Sequence, residues 1–256
     1  MDEYILKISD LSLCYEETRV VKDLSLNVRK GDVLCIVGES GSGKSTLLRA
    51  ISGNPLVKIE SGKIIYKDQE IFGEQSKRSR KILCCSMGLV QQNPSGAFNP
   101  IRKLKPQFEE TCKSNSMKYD QEKIRAIFGT LGLKDADKIL NSRPYELSGG
   151  MNQRIAIAAS LMLDPELLLC DEITSALDVT TAIALTDELV RLKKELDVTI
   201  ILVTHNLGIA ANIADRIAIM YQGTIVERGE TAAILSTPEH EYTKRLLQDV
   251  PKLRTV

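Results

Sequence analysis

Three largely apolar runs punctuate the chain: Val33-Leu34-Cys35-Ile36-Val37, Leu167-Leu168-Leu169-Cys170 and Val198-Thr199-Ile200-Ile201-Leu202-Val203. Runs of this length without polar alternation mark strands covered on both faces, as in a parallel sheet wrapped by helices. Residues 4–8 and 24–28 read instead as alternating strands, and Lys30-Gly31-Asp32 supplies a turn ahead of the first buried run. Leu185, Leu189, Leu192 and Leu196 recur at helical spacing and predict an amphipathic helix packed on the sheet. From about Asn93 to Asn141 β-branched runs are few and helix formers many, which predicts an inserted, mostly helical subdomain. That insert leads through Arg143-Pro144-Tyr145-Glu146 to another helical run, where Ile155, Ala159 and Met162 form a buried stripe and Ser148 stands at the N-cap position.

Composition narrows the class. At 256 residues the chain can form one large domain or a core with an inserted subdomain. Lys plus Arg and Asp plus Glu each number 34, so there is no basic excess to suggest nucleic-acid binding. No apolar run reaches the roughly 18–20 residues needed to span a bilayer. The start, Met1-Asp2-Glu3-Tyr4, is acidic where a signal peptide is basic and then apolar, so a cytosolic protein is expected. Six cysteines (Cys14, Cys35, Cys84, Cys85, Cys112, Cys170) lack metal-ligand spacing, and neither histidine is near Cys84-Cys85 in sequence. Reduced thiols are the simplest account.

Chemistry enters at the carboxyl ends of the buried runs. The first opens directly into Gly38-Glu39-Ser40-Gly41-Ser42-Gly43-Lys44-Ser45-Thr46, a complete G-x-x-x-x-G-K-[ST] loop between a strand and a helical run. Glycines let such a loop curl so that its N–H groups converge on phosphate oxygens, and the following helix adds its positive end. Lys44 is expected at the β- and γ-phosphates and Ser45 on Mg²⁺. One lysine–phosphate pair at about 4 Å amounts to roughly 4 kcal/mol at an effective dielectric near 20, before desolvation. The second run ends in Asp171-Glu172: Asp171 is expected to organise Mg²⁺ and Glu172 to polarise the attacking water. The third leads to His205, placed to reach the γ-phosphate or its water. Before any analogy, Ser148-Gly149-Gly150 reads as a turn and helix cap, which leaves the paired glycines unexplained.

In order along the chain stand Tyr15, the phosphate loop 38–46, Gln92, Leu147-Ser148-Gly149-Gly150, Asp171-Glu172, Ser175-Ala176-Leu177-Asp178 and His205. With these motifs the chain resembles ATP-binding-cassette (ABC) ATPases over essentially its full length. The resemblance implies an α/β fold: a P-loop NTPase core of mainly parallel sheet, an antiparallel β subdomain and an inserted α-helical subdomain. The expected divisions are 1–92 with 161–230 for the core, 93–160 for the helical signature subdomain and 231–256 for a helical tail. By the same analogy Tyr15 stacks on adenine, and Gln92, chosen over Gln91 because Asn93-Pro94 follows it, touches Mg²⁺ or the attacking water. Ser148, Gly149 and Gly150 cover the γ-phosphate held by a partner subunit, and Asp178 contacts that partner. Ile173 departs from the pattern, standing where a proline is common.

Within the family, "QNPSGAFNP", "SGGMNQR" and "TPEHEYTKRLLQDVP" are similar to importers of the peptide and nickel group. Glu241 takes the place of a usual proline. Glu110-Thr111-Cys112, the short length and the stop soon after Pro251 tilt the expectation to nickel or a nickel–metallophore complex, with oligopeptides or dipeptides as the alternative and an exporter subunit behind both. The implied cofactors are ATP and Mg²⁺. The implied partners are two membrane permeases, a second related ATPase and, indirectly, an extracytoplasmic binding protein, with the chain at the cytoplasmic face of the membrane and its permease groove between Gln92 and the helical insert. Single-cassette length argues against translation factors, and the modest insert argues against DNA-repair ATPases.

Overall fold

The computed structural model describes residues 3–71 and 86–248. Cys84, Cys85 and Pro251 lie outside the described residues. In chain order the elements begin with β1 (Tyr4–Tyr15), β2 (Thr18–Arg29), β3 (Val33–Val37), α1 (Lys44–Ile51), β4 (Val57–Tyr66), β5 (Gln69–Glu70) and β6 (Met87–Val90). Helices α2 (Leu104–Ser114), α3 (Gln121–Thr130), α4 (Ala136–Asn141) and α5 (Gly149–Leu161) follow, then β7 (Leu167–Asp171) and α6 (Val179–Leu196). The last elements are β8 (Thr199–Thr204), α7 (Leu207–Ile213), β9 (Arg216–Tyr221), β10 (Thr224–Glu230), α8 (Thr231–Ser236) and α9 (Glu241–Gln248). They fall into two compact units, one from the stretches 1–80 and 199–256, the other from 81–198.

The first unit holds an antiparallel sheet in the order β2-β1-β4-β5. β1 and β2 run well past the alternating stretches 4–8 and 24–28. The alternation is lost because both strands bulge: Asp10 (φ 47°) and Asp23 (φ 44°) adopt left-handed conformations at register shifts. Ser12 mends the ladder at Asp23, accepting its N–H at 3.1 Å. The same unit contains β3, parallel to both β8 and β9, and β10, antiparallel to β9. All five residues of β3 and all six of β8 are buried, as their uninterrupted apolar runs predict. At roughly 1.5–3 kcal/mol for each fully buried large apolar side chain, these two strands contribute strongly to the core of the unit. Gly31 (φ 78°) makes the turn into β3, with Asp32 N–H donating to Arg29 O at 3.3 Å.

The second unit pairs β6 with β7 in parallel and also contains α2–α6. Its limits differ from the expected insert 93–160. Both strands and α6 belong with the helices because α5 is bound to its neighbours: Ser160 Oγ donates to Leu89 O on β6 (3.2 Å), and Arg154 pairs with Glu188 on α6. Two helical readings also change. In α5 Ala159 is half-buried, while Gln153, Ile155, Ala156, Ile157, Ala158 and Leu161 are all buried, so the helix is covered over most of its circumference and has no single stripe. In α6 Leu185, Leu189 and Leu192 are buried but Leu196 is 39% exposed, because the helix stops at Asp197 in a left-handed turn. Cys14, Cys35, Cys112 and Cys170, the described cysteines, form no disulfide.

Candidate nucleotide site

β3 delivers the chain into the phosphate loop through Gly38, where a Cβ would lie 2.1 Å from the carbonyl oxygen of Met220. No side chain fits against that backbone, so the first glycine is a packing requirement. Gly43 (φ 103°) is the N-cap of α1, and it offers no side-chain cap to the helix N–H groups. Lys44, only 3% exposed, turns back into the loop. Its Nζ donates to Gly38 O (2.8 Å), Glu39 O (2.7 Å) and Ser42 Oγ (3.4 Å). From behind, Gly223 N–H in the β9–β10 turn donates to Ser42 O at 3.1 Å. Three loop carbonyls are therefore tied to internal donors. A loop so arranged presents its N–H groups, and the positive end of α1, to an anion. Ser45 and Thr46 sit half-buried on the first turn of α1.

Two further expected residues join this unit. The β3–β8 register pairs Val37 with Thr204, so His205 emerges at the sheet end where the phosphate loop begins. Asn206 beside it caps α7, accepting from Gly208 N–H (2.9 Å) and Ile209 N–H (3.2 Å), which fixes the direction in which the chain leaves the strand. Tyr15 ends β1 half-buried, with the Arg49 guanidinium of α1 6.0 Å above its ring.

In the second unit the parallel register explains another cluster. Val90 pairs with Cys170, and Gln92 and Glu172 each follow two residues later. Gln92 Nε2 lies 3.4 Å from Glu172 Oε2 and donates to Ser175 Oγ at 3.2 Å; Ser175 Oγ in turn donates to Glu172 O at 2.9 Å. Gln92, rather than Gln91, thus meets the acidic turn. Glu172 holds φ 47°, a conformation that costs a non-glycine residue about 1–2 kcal/mol and is found at functional turns. Asp171 ends β7 half-buried, and Ile173, in the usual proline place, is buried in the core and so anchored by packing. Ser175 was not singled out by sequence as a site residue; its place in the Ser175-Ala176-Leu177-Asp178 motif was the available signal.

The signature stretch forms the start of α5. Ser148 caps it, accepting from Met151 N–H at 3.3 Å. A Cβ on Gly150 would meet Thr181 Cγ2 at 3.5 Å and Leu177 Cδ2 at 3.8 Å, so α5 begins against the beginning of α6. Asp178 caps α6, accepting from Thr181 Oγ1 (2.7 Å) and Thr181 N–H (3.0 Å). Those bonds, the hydroxyl first, hold its carboxyl below the usual aspartate value. Deeper along the same pair of helices, Arg154 Nε and Nη2 bind Glu188 at 2.8 and 3.1 Å in a largely buried, two-point ion pair.

Among the described residues no group of three His, Cys, Asp or Glu could hold a metal ion on its own. Taken singly, the Ser45 hydroxyl in the first unit and the Asp171 carboxylate in the second are each hard oxygen donors of the kind taken by Mg²⁺, an ion that is usually carried by substrate phosphates and water with only one or two protein oxygens. No helix among the described residues is long and apolar enough to cross a membrane.

Comparison with known proteins places the chain in a family. Residues 21–175 match the model of the ABC transporter family. The oligopeptide transport ATP-binding protein OppD of Lactococcus lactis subsp. cremoris (strain SK11) is 35% identical over 263 residues, covering 99% of this chain and 78% of that protein. The metal-staphylopine import system ATP-binding protein CntD of Staphylococcus aureus (strain Mu50 / ATCC 700699) is 36% identical over 238 residues, 91% of this chain and 88% of that one. In structure the chain is similar to cbiO1 from Clostridium perfringens, part of the ABC transporter complex cbiONQ, with a TM-score of 0.81, 26% identity and coverage of 98% and 97%. The chain belongs to the ABC transporter family, as an ATP-binding subunit whose hydrolysis of ATP is coupled to transport.

Proposed function

We propose that this chain is the ATP-hydrolysing subunit of an oligopeptide or dipeptide importer, bound at the cytoplasmic face of the membrane to two permease subunits and a second, related ATPase. The observation that carries the peptide reading is the match to OppD, which runs through 99% of the chain, tail included. The match to the metal-staphylopine protein stops at 91%. This reverses the preference for nickel drawn from Glu110-Thr111-Cys112 and the short length. Glu110 is engaged with Arg102 on the surface (2.5 Å), and Cys112 is buried against Met162 (3.9 Å), so the triplet has local structural partners.

Roles follow from chemistry. Lys44 and the N–H groups of Gly38 to Thr46 hold the triphosphate, and Tyr15 stacks on adenine. Ser45, Asp171 and Gln92 would hold Mg²⁺, which would supply charge neutralisation to the triphosphate. Glu172 accepts a proton from the attacking water as the water oxygen bonds to the γ-phosphorus. The bond to the bridging oxygen breaks, and ADP leaves with that electron pair. Gln92, within reach of the Glu172 carboxylate, orients the water. His205 steadies the γ-phosphate. Ser148, Gly149 and Gly150 close over nucleotide held by the second ATPase, and Asp178 meets that subunit. Nucleotide then joins the two ATPases, and hydrolysis parts them.

Cells lacking this chain provide the test. Wild-type chain restores uptake of a labelled oligopeptide, whereas Glu172→Gln, which removes the base and lowers turnover roughly 10²- to 10⁴-fold, does not. Restored uptake of radiolabelled nickel with no peptide uptake returns the substrate to the metal class. Peptide uptake sustained by Glu172→Gln overturns the assignment of the base.

A further inference from the structure

We infer that Tyr242, on the C-terminal helix α9, is a positioning residue for the phosphate loop, so that this helix is a working part of the nucleotide site. The inference rests on the ATPase reading above. One peptide unit, the link between Gly38 and Glu39, is held at both ends. Its carbonyl oxygen accepts Lys44 Nζ at 2.8 Å, and its N–H donates to the Tyr242 hydroxyl at 3.0 Å. The next carbonyl, Glu39 O, accepts the same ammonium at 2.7 Å. A peptide plane bound at both ends cannot rotate without losing both bonds. Rotation here would also turn the Gly38 oxygen away from Lys44 and free it to face a bound phosphate, where its partial negative charge opposes the ligand.

Tyr242 is itself held firmly. It is 5% exposed, and its ring centroid lies 4.2 Å from that of Tyr221, the last residue of β9. Tyr221 follows Met220, the residue whose carbonyl forbids a side chain at Gly38. The approach to α9 is pinned to β10, where Glu227 accepts from Glu239 N–H (2.8 Å) and His240 N–H (3.1 Å). His240 Nδ1 then accepts from Tyr242 N–H at 3.1 Å. The end of β9 thus braces the loop at Gly38 and the tyrosine ring together. The tyrosine hydroxyl spans the remaining gap, which a phenylalanine would leave open.

The test separates the hydroxyl from the ring. In the full-length chain Tyr242→Phe keeps the stacking on Tyr221 and melts close to wild type. The account predicts that exchange of the Glu39 amide with solvent, read by NMR without nucleotide, speeds up about five-fold. The dissociation constant and KM for ATP rise by a similar factor, about 1 kcal/mol at 1.4 kcal/mol per tenfold, while kcat changes by less than about two-fold. Lys244→Ala, which removes only a surface pair with Glu241, behaves as wild type in all of these. Unchanged Glu39 exchange and ATP affinity in Tyr242→Phe overturn the inference and leave the ATPase reading standing. An affinity loss matched by a drop in melting temperature also overturns it, because the tyrosine then serves only the fold. A wild-type chain that binds no ATP removes the ATPase reading, and the Glu39 exchange alone then decides whether the clamp exists.

Discussion

Two helices here begin behind glycine-rich turns, and they solve the problem of their free N–H groups in opposite ways. At α1 the N-cap is Gly43, with no capping side chain, while Lys44 and Gly223 hold the loop's carbonyl oxygens. At α5 the N-cap is Ser148, whose hydroxyl satisfies Met151 N–H, and the helix start is braced against α6. The first is a loop arranged by its own backbone, its carbonyls tied inward and its helix end without a side-chain cap. The second is already a finished helix cap, and the phosphate role proposed for it depends on a second subunit. Positive helix ends attract anions in both cases; what differs is how much of the binding surface the chain builds alone.

The largest expected effect lies on the α5 side. Glu188→Ala strands the Arg154 guanidinium in a largely buried place, and breaking such a pair costs about 3–5 kcal/mol. Urea unfolding should show that loss, with ATP affinity at the phosphate loop kept at temperatures where the variant stays folded. A coupled loss of ATP affinity there would erase the contrast between a site held by backbone and a helix start held by side chains.

Lys44→Ala comes next. Removing a preorganised charge at a developing phosphoryl centre costs roughly 10²–10³-fold in turnover, about 3–4 kcal/mol. Hydrolysis by the assembled transporter and nucleotide binding measured by calorimetry should both collapse. Retained binding would mean that the backbone N–H groups suffice without the ammonium.

Smaller still is the effect of the Ser148 cap. Ser148→Ala should cost about 1 kcal/mol of stability, whereas Ser148→Asp preserves the cap and should leave the melting temperature unchanged. If Ser148 also faces a partner's phosphate, the aspartate variant loses hydrolysis in the assembly despite its intact fold. If it keeps full hydrolysis, the signature serine is a cap and nothing more.

The core was the most legible part of the sequence because β3, β7 and β8 are buried on both faces and so carry no alternation to misread. The phosphate loop was equally clear, since its residues are contiguous and each has a local duty. Legibility failed where neighbours in space decide. The α5 stripe was drawn too narrowly because Gln153, polar yet 3% exposed, is buried beside the apolar residues. The expected insert 93–160 and the compact unit 81–198 have different limits, because the pairing of β6 with β7, the Ser160–Leu89 bond and contacts such as Arg154–Glu188 and Thr130–Glu195 tie those strands and α6 to the helices. The bulges at Asp10 and Asp23 hid half the length of β1 and β2. Tyr242, 203 residues from Glu39, offered only a family-like tail motif, because nothing local shows that its hydroxyl ends at the phosphate loop.

The central claim is that this chain spends ATP on transport through Glu172-dependent hydrolysis. Its most direct test is phosphate release by the purified chain, alone and assembled with its permeases and second ATPase, in wild-type and Glu172→Gln forms. The account predicts that release rises on assembly and disappears in the variant while ATP stays bound. Hydrolysis that is indifferent to the permeases, or that persists in Glu172→Gln, would contradict it.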